Sequence, residues 1–302
     1  MIEDNVILVT GGSGFIGGHL VDALRADNEI RVLDVDPEPS TPRNVNSIEG
    51  DIRDRAIVDR ATEGVDIVFH QAALVSVAES VAEPERSHAI NATGTLNVLE
   101  AARRYDARVV VASSAAVYGE PESVPIDESH PLEPTSPYGL DKLVTDQYAQ
   151  LYHELYGLDA VALRYFNVYG PGQTGGDYAG VVTAFCRQAR DGEPITVHGD
   201  GTQTRDFVHV NDVVRANQLA AVTDEVGTAY NVGTGSSVSI RRLAERIRRI
   251  EGSDSEIVHT EPRSGDISHS CADVSRAREH LGYEPTIGID EGLKTLRLSP
   301  PI

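Results

Sequence analysis

Tyr138 and Lys142 stand four residues apart in the run Tyr138-Gly139-Leu140-Asp141-Lys142. On a helix that spacing sets both side chains on one face. A phenol with an unperturbed pKa of about 10 is a poor base at neutral pH. An ammonium one turn away favours the phenolate and lowers that value. Such a pair can pass a proton to and from an alcohol while hydride leaves or joins the same carbon. Ser114 lies just past an apolar run, where its hydroxyl can bridge the reacting oxygen and the phenol; Ser113 beside it is the weaker candidate. Lys142 and Lys294 are the only lysines among 26 basic residues; the other 24 are arginine. A lysine kept in so arginine-rich a chain suggests a role that a guanidinium cannot fill.

Hydride needs an acceptor, and the N-terminal segment offers a place for one. Thr10-Gly11-Gly12-Ser13-Gly14-Phe15-Ile16-Gly17 follows an apolar run and opens an amphipathic stretch. Gly11 permits a tight turn, Gly14 lets backbone approach a pyrophosphate, and Gly17 lets a helix pack close on its strand. Free N–H groups at the helix start, around Phe15 and Ile16, favour phosphate. Asp34 ends the next apolar run, placed to accept hydrogen bonds from both ribose hydroxyls. Its charge repels a 2′-phosphate, so NAD is expected rather than NADP. Asp51 and Ile52, after a further short strand, are placed to border the adenine.

These residues need strands and helices at fixed places. Apolar runs at Val6–Thr10, Ile30–Leu33, Ile67–His70, Val109–Ser113 and Ala160–Tyr165 alternate with helical stretches around 54–61, 92–105 and 139–156. Alternation with fully apolar strands predicts a parallel sheet covered on both faces. With right-handed crossovers it becomes a Rossmann-like, doubly wound α/β fold. After about residue 167 the rhythm loosens and Gly and Pro cluster, which predicts a smaller mixed α/β substrate lobe. The expected division is 1–167 plus about 207–232 for the NAD-binding domain, and about 168–206 plus 233–302 for the lobe.

The composition narrows the field. A chain of 302 residues with 40% hydrophobic and 24% charged residues is ordinary globular material, large enough for a sizeable core. The formal charge of −21 argues against nucleic acid and against an anionic membrane surface. No apolar run is long enough to span a bilayer and no basic, apolar leader opens the chain. Cys186 and Cys271 have neither metal-ligand nor disulfide-framework spacing, so no metal is expected and a cytoplasmic location fits. The acidic, lysine-poor balance suits a salt-loaded cytoplasm, where salt screens self-repulsion; arginine-favouring codons are the alternative.

TGGSGFIG at 10–17, HQAA at 70–73, NATGTLN at 91–97, SSAAVYG at 113–119, PTSPYGLDK at 134–142, LRYFNVYGPGQ at 163–173 and RDFVHVND at 205–212 resemble the extended short-chain dehydrogenases. Within the NAD-dependent epimerase/dehydratase group they look most like UDP-glucose 4-epimerases. The resemblance runs from residue 6 to about 290. It implies Ser114, Tyr138 and Lys142 as the catalytic set. It also implies Asn91 near the nicotinamide and Ala72 and Ala73 as backbone contacts to NAD. On the substrate side it implies Asn167 touching substrate, the pair Arg205 and Arg263 gripping the nucleotide diphosphate, Asp266 on the ribose, and Ser270 at the sugar gate. Two guanidiniums on a diphosphate make chemical sense, because the planar fork binds phosphate bidentately. The sequence departs from the family at Val75, where a lysine often reaches the cofactor phosphates. At the gate, where tyrosine narrows the pocket, Ser270 and its neighbour Cys271 are both small, so N-acetylated sugars come into view.

The expected reaction is C4 epimerisation of a UDP-hexose, such as UDP-glucose or UDP-galactose, through a transient 4-keto sugar. A 4,6-dehydratase needs an acid pair directly after the motif serine, and here Ala115-Ala116 stand there. A reductase that consumes its dinucleotide and a non-catalytic NAD sensor are the other readings. The resemblance also implies a homodimer built on the helices at 92–105 and 139–156, with Val98, Leu99, Leu143, Val144 and Leu151 supplying apolar positions.

Overall fold

The computed structural model describes residues 2–37, 45–173, 180–262 and 265–296. In the first half the chain runs β1 (Val6–Thr10), α1 (Phe15–Leu24), β2 (Glu29–Asp34), β3 (Val45–Glu49), α2 (Arg55–Thr62) and β4 (Ile67–His70). It continues through α3 (Val77–Ala82), α4 (Pro84–His88), a π-helical turn at Ala89–Gly94, α5 (Thr95–Tyr105), β5 (Arg108–Ser114), a 3-10 turn at Ala115–Tyr118, α6 (Pro137–Tyr156) and β6 (Ala160–Tyr165). The second half comprises β7 (Asn167–Tyr169), α7 (Val181–Asp191), β8 (Ile195–His198), β9 (Thr204–His209), α8 (Val210–Ala220), β10 (Thr228–Val232), β11 (Ser237–Ser239), α9 (Ile240–Glu251), β12 (Ile257–Thr260), α10 (Ser275–Leu281) and α11 (Ile289–Thr295).

Seven strands form one sheet in the order β10-β6-β5-β4-β1-β2-β3, with every pairing parallel. The inner strands β1, β4, β5 and β6 are largely apolar because both faces are covered, while the edge strand β3 carries Asn46, Ser47 and Glu49. In β5, Val110 and Ala112 enter one core and Val109 and Val111 the opposite one; in β1, Ile7 and Val9 part from Leu8 in the same way. The chain leaves β1 toward β2 and β3, then crosses back to β4 on the other side. That reversal opens a crevice at the carboxyl ends of β1 and β4, the place where open α/β sheets bind ligands. Gly11–Gly17 and Gln71–Ser76 both leave the sheet there.

β7, β9 and β11 make a second sheet and β8 pairs with β12, over a separate apolar cluster that includes Phe185, Phe207 and Leu243. Phe207–His209 pair in β9 of the small sheet, while Val208 already packs into the core of the large one. Ala272, Val274, Ala277, Leu281 and Tyr283, assigned by the sequence reading to the lobe, pack into the same core as Ile7 and Val9. Their short, scattered apolar residues carry no period that would reveal this. The helix expected over 92–105 becomes regular only at Thr95. Before it, the Asn91 carbonyl accepts the Thr95 and Thr145 hydroxyls, at 2.5 and 3.1 Å, where the turn widens. Among the described residues no helix is long and apolar enough to cross a membrane.

Candidate active site

α6 begins where the chemistry is. Ser136 caps it by accepting the Gly139 N–H at 3.1 Å, and Pro137 occupies its first turn, where a missing N–H costs nothing. Tyr138 follows. Its own N–H donates to the buried Ser80 hydroxyl of α3 at 3.1 Å, which fixes the start of the helix against a neighbouring element. Ser114 stands where β5 ends, and its hydroxyl accepts the Ala116 N–H at 3.1 Å, starting the 3-10 turn. The same side chain lies near enough to the Tyr138 phenol to favour its ionised form. One turn along α6, Lys142 is 5% exposed and donates from Nζ to the Ala112 carbonyl at 2.7 Å. Three residues from β5 and α6 thus meet at the carboxyl end of the sheet.

The electrostatics correct one expectation. Burial pushes the Tyr138 phenol above its ordinary value, and Ser114 only partly opposes this. Lys142 moves the other way, pulled down to about 8 by burial, with Asp141 opposing. Desolvation sets both directions, and the Lys142 ammonium is committed to a carbonyl. Behind them His70 lies between Thr10 Oγ1 (2.7 Å) and Thr95 Oγ1 (2.9 Å), and burial holds it neutral, with a pKa of about 3.

The glycine loop fits a dinucleotide phosphate group. Gly11 has φ +69°, and a Cβ on it would lie 2.7 Å from the Ala72 nitrogen; a Cβ on Gly17 would overlap the Gly11 carbonyl. At Gly14, by contrast, a Cβ would meet nothing closer than the Gly11 oxygen at 3.2 Å. No side chain caps α1, whose first turn carries Phe15 and Ile16, so its N–H groups are free to meet an anion. Asp34 accepts the Ser13 N–H at 3.0 Å and the Asp36 N–H at 3.2 Å, so its carboxylate is fixed at the rim of this loop. Ala72 and Ala73 lie on the facing loop, where the Ala72 N–H reaches Thr10 Oγ1 at 3.3 Å. Asn91 pins the same loop by pairing its amide with both backbone groups of Leu74, at 2.8 and 3.0 Å. Asp51 is gripped by Arg53 through bonds of 2.6–3.0 Å, which hold its carboxyl below the usual range. The Ile52 side chain is buried under Gly94, so it serves packing and leaves only backbone to border a ligand.

A glycine loop, a fixed acid beside it and a Tyr–Lys pair across the crevice match a known group of proteins. The model of the NAD-dependent epimerase/dehydratase family matches residues 7–233. The chain belongs to that family. The UDP-glucose 4-epimerase of Mycolicibacterium smegmatis is 38% identical over 298 residues, covering 95% of each chain. A solved UDP-N-acetylglucosamine 4-epimerase from Methanobrevibacter ruminantium, in complex with UDP-N-acetylmuramic acid, superposes with a TM-score of 0.94 at 38% identity, covering 98% of this chain and 97% of that one. The UDP-glucose 4-epimerase of Thermus thermophilus in complex with NAD gives 0.88 at 37% identity, covering 96% and 97%.

In this epimerase/dehydratase family member the residues expected on the substrate side lie on the small sheet and the segment facing it. Arg205 of β9 is nearly buried; its guanidinium donates to the Thr204 carbonyl at 2.8 Å and forms an ion pair with Asp266. The two residues expected on diphosphate and ribose are therefore partners of each other. Asn167 of β7 donates to the Asp206 carbonyl at 3.1 Å. Ser270 is 3% exposed and donates its N–H to the Thr204 carbonyl at 3.0 Å, next to Arg205, while Cys271 is half-buried. Arg263 lies outside the described residues. Val75 is exposed and supplies no cation to the loop. Among the described residues no cluster could hold a metal.

Sequence reasoning passed over several residues that hold this site. Asp146 and Arg164 form a buried ion pair at 2.7 Å, and Asp146 also accepts the Ser113 hydroxyl at 3.1 Å. Arg164 reaches on to the Tyr118 hydroxyl at 2.9 Å. Asp206, the residue after Arg205, accepts N–H groups of Thr234, Gly235 and Ala272 at 2.8–3.1 Å. The four-residue step from Lys142 to Asp146 is the only signal that could have marked any of them.

Proposed function

We propose that this chain is an NAD-dependent 4-epimerase of a UDP-hexose. The observation that carries the reading is the meeting of Ser114, Tyr138 and Lys142 across the crevice from a glycine loop whose rim acid, Asp34, suits ribose hydroxyls. Gly11–Gly17, Asp34, Ala72 and Ala73 would hold NAD. When bound, NAD supplies a hydride acceptor for the sugar carbon and a positive charge beside the phenol. Tyr138 takes the C4 hydroxyl proton at its phenol oxygen and returns it to the C4 oxygen once the ketone has turned over, so that hydride can rejoin C4 from the opposite face. Ser114 orients the hydroxyl beside Tyr138, and the Lys142 ammonium together with the positive charge of bound NAD would have to offset the burial that holds the phenol up. The ketone must turn over between the two transfers, so the sugar needs a loose pocket and a firm diphosphate anchor. Arg205 and Arg263 are the proposed anchor, with Asp266 on the ribose and Asn167 near the sugar. Ala115 and Ala116 begin a 3-10 turn and offer no acid for dehydration. The small Ser270 and Cys271 support acceptance of N-acetylhexosamine forms.

The same reading extends to setting and assembly. The acidic, lysine-poor chain suits a salt-loaded cytoplasm. A homodimer on α5 and α6 is supported by Leu140, Leu151, Leu155 and Tyr156, exposed along α6. Val98 and Leu99, expected at that interface, are buried in the core beneath it. Incubation with UDP-glucose, UDP-galactose, UDP-N-acetylglucosamine and UDP-glucuronate, followed by product separation, tests the function. Interconversion at C4 without added dinucleotide is expected. Release of water, or consumption of NADH in proportion to product, would overturn it.

A further inference from the structure

Where β1 and β4 end, the walls of the crevice lose their backbone ladder. Thr10 and His70 are the last residues of the two strands and stand opposite each other in the parallel register. The ladder closes with the Gln71 N–H on the Thr10 carbonyl at 3.1 Å. Beyond it the glycine turn and the facing loop part, although a Cβ on Gly11 would still lie 2.7 Å from the Ala72 nitrogen. Side chains take over the tie. The Ala72 N–H donates to Thr10 Oγ1 at 3.3 Å, and Thr10 Oγ1 lies 2.7 Å from His70 Nδ1. On the other side of the ring, His70 Nε2 lies 2.9 Å from Thr95 Oγ1, and the Thr95 hydroxyl donates to the Asn91 carbonyl at 2.5 Å. Thr10, Asn91 and Thr95 are as deeply buried as His70, which is 3% exposed.

The direction of each bond follows from the two ends. A carbonyl only accepts, so the single Thr95 hydrogen is spent on Asn91. Toward the ring Thr95 can then only accept, which places a proton on Nε2. The ring meets no carboxylate among the described residues, and the charge nearest in effect is the Lys142 ammonium. A second ring proton would be a buried charge without a partner. Nδ1 is therefore an acceptor, Thr10 donates to it, and the Thr10 lone pairs are left for Ala72. Every hydrogen in the relay has one place to go.

We propose, resting on the NAD reading above, that His70 is a positioning residue whose buried Nε2–H tautomer joins Thr10 to Thr95 in one directed relay, holding the Gly11 turn, the Ala72 backbone and the π-helical turn of Asn91 at the separation NAD requires. Asn91 extends the hold, because its side-chain amide grips both backbone groups of Leu74 on the facing loop. Thr95, the first residue of α5, is the far end of the relay.

Two-bond 1H–15N spectra of the histidine-labelled protein read the tautomer directly, the His70 signals being those lost in His70→Asn. The Nε2–H pattern is expected, unchanged from about pH 6 to 9. An Nδ1–H pattern, or a doubly protonated ring in that range, would overturn the relay. Thr95→Val keeps the shape of the side chain and removes its hydroxyl. Bound NAD should then leave about tenfold faster, read by trapping released NAD with an excess of a dehydrogenase, and Thr95→Ser should restore the wild-type rate. In a Thr10→Val background, where the relay is already cut, the same Thr95→Val change should add little. Should Thr10→Val fold poorly, His70→Asn, whose short amide can meet Thr10 but not Thr95, serves as the cut background. Additive effects, or a Thr95→Val protein that melts lower yet releases NAD at the wild-type rate, would show a packing role and overturn the proposal. If the wild-type protein retains no NAD, the cofactor reading is what fails, and the tautomer spectrum still decides the relay.

Discussion

Each residue of the Tyr–Lys pair sits in a balance between solvation and charge. Replacing Tyr138 by Phe removes the proton acceptor and nothing else of size. Turnover should drop by about 10²–10⁴-fold, while bound NAD, read by absorbance after denaturing the protein, stays at the wild-type amount. Turnover at the wild-type rate would show that another group is the base. Asp34→Ala should weaken NAD and relax discrimination against NADP, measured by titration of both dinucleotides. Because Asp34 also holds the Ser13 N–H, the loss should exceed what two ribose contacts supply. Lys142 makes a stability prediction. Its folded pKa, about 8, lies below the ordinary lysine value, so between the two the unfolded chain binds more protons. Stability against denaturant should therefore rise as pH goes from about 8 toward 10, and this part of the rise should vanish in Lys142→Met. At this scale the sequence was informative where chemistry is local. A Tyr and a Lys one turn apart, or three glycines around one turn, announce themselves by spacing. The pairing of Ser80 with Tyr138 does not, because polar residues 58 positions apart leave no periodic trace.

Elements place these side chains through close approaches and buried charge. α1 can pack on its loop only because Gly17 has no side chain. Gly17→Ala should cost about 1–3 kcal/mol or more, read as a fall in melting temperature together with weakened NAD binding. The Asp146–Arg164 pair ties α6 to β6 and, through Ser113, to the end of β5. Arg164→Met would leave a buried carboxylate without its partner, at a cost of about 3–5 kcal/mol. Denaturant unfolding checks this, and a loss under 1 kcal/mol would show that water reaches Asp146. Five strands of the large sheet were legible because continuous apolar runs have few other uses; β3 and β10 carry polar residues and were not. The small lobe was less so: β7 and β11 are three residues each, too short to show a period. Arg205 and Asp266 were each marked by resemblance, yet their mutual ion pair is a contact between two elements that nothing local encodes.

The whole molecule carries −21 with two lysines, so its surface repels itself. Screening shortens to about 3 Å at 1 M salt. Melting temperature should climb between 0.1 and 2 M KCl, and a flat or falling curve would assign the composition to codon usage. The division of the chain was the part the sequence hid best. Residues after β12 look like the tail of the lobe, yet Ala272–Tyr283 line the large sheet, Tyr283 donates its hydroxyl to the Gly233 carbonyl at 2.9 Å, and Asp212 of α8 accepts the N–H groups of Thr286 and Ile287 at 3.0 and 3.1 Å.

That late return to the first core bears on how the polypeptide is made. While residues 272–283 are still inside the ribosome, one side of an otherwise finished sheet lacks a cover. The nascent chain must carry this greasy surface until they emerge, a window in which it is open to aggregation.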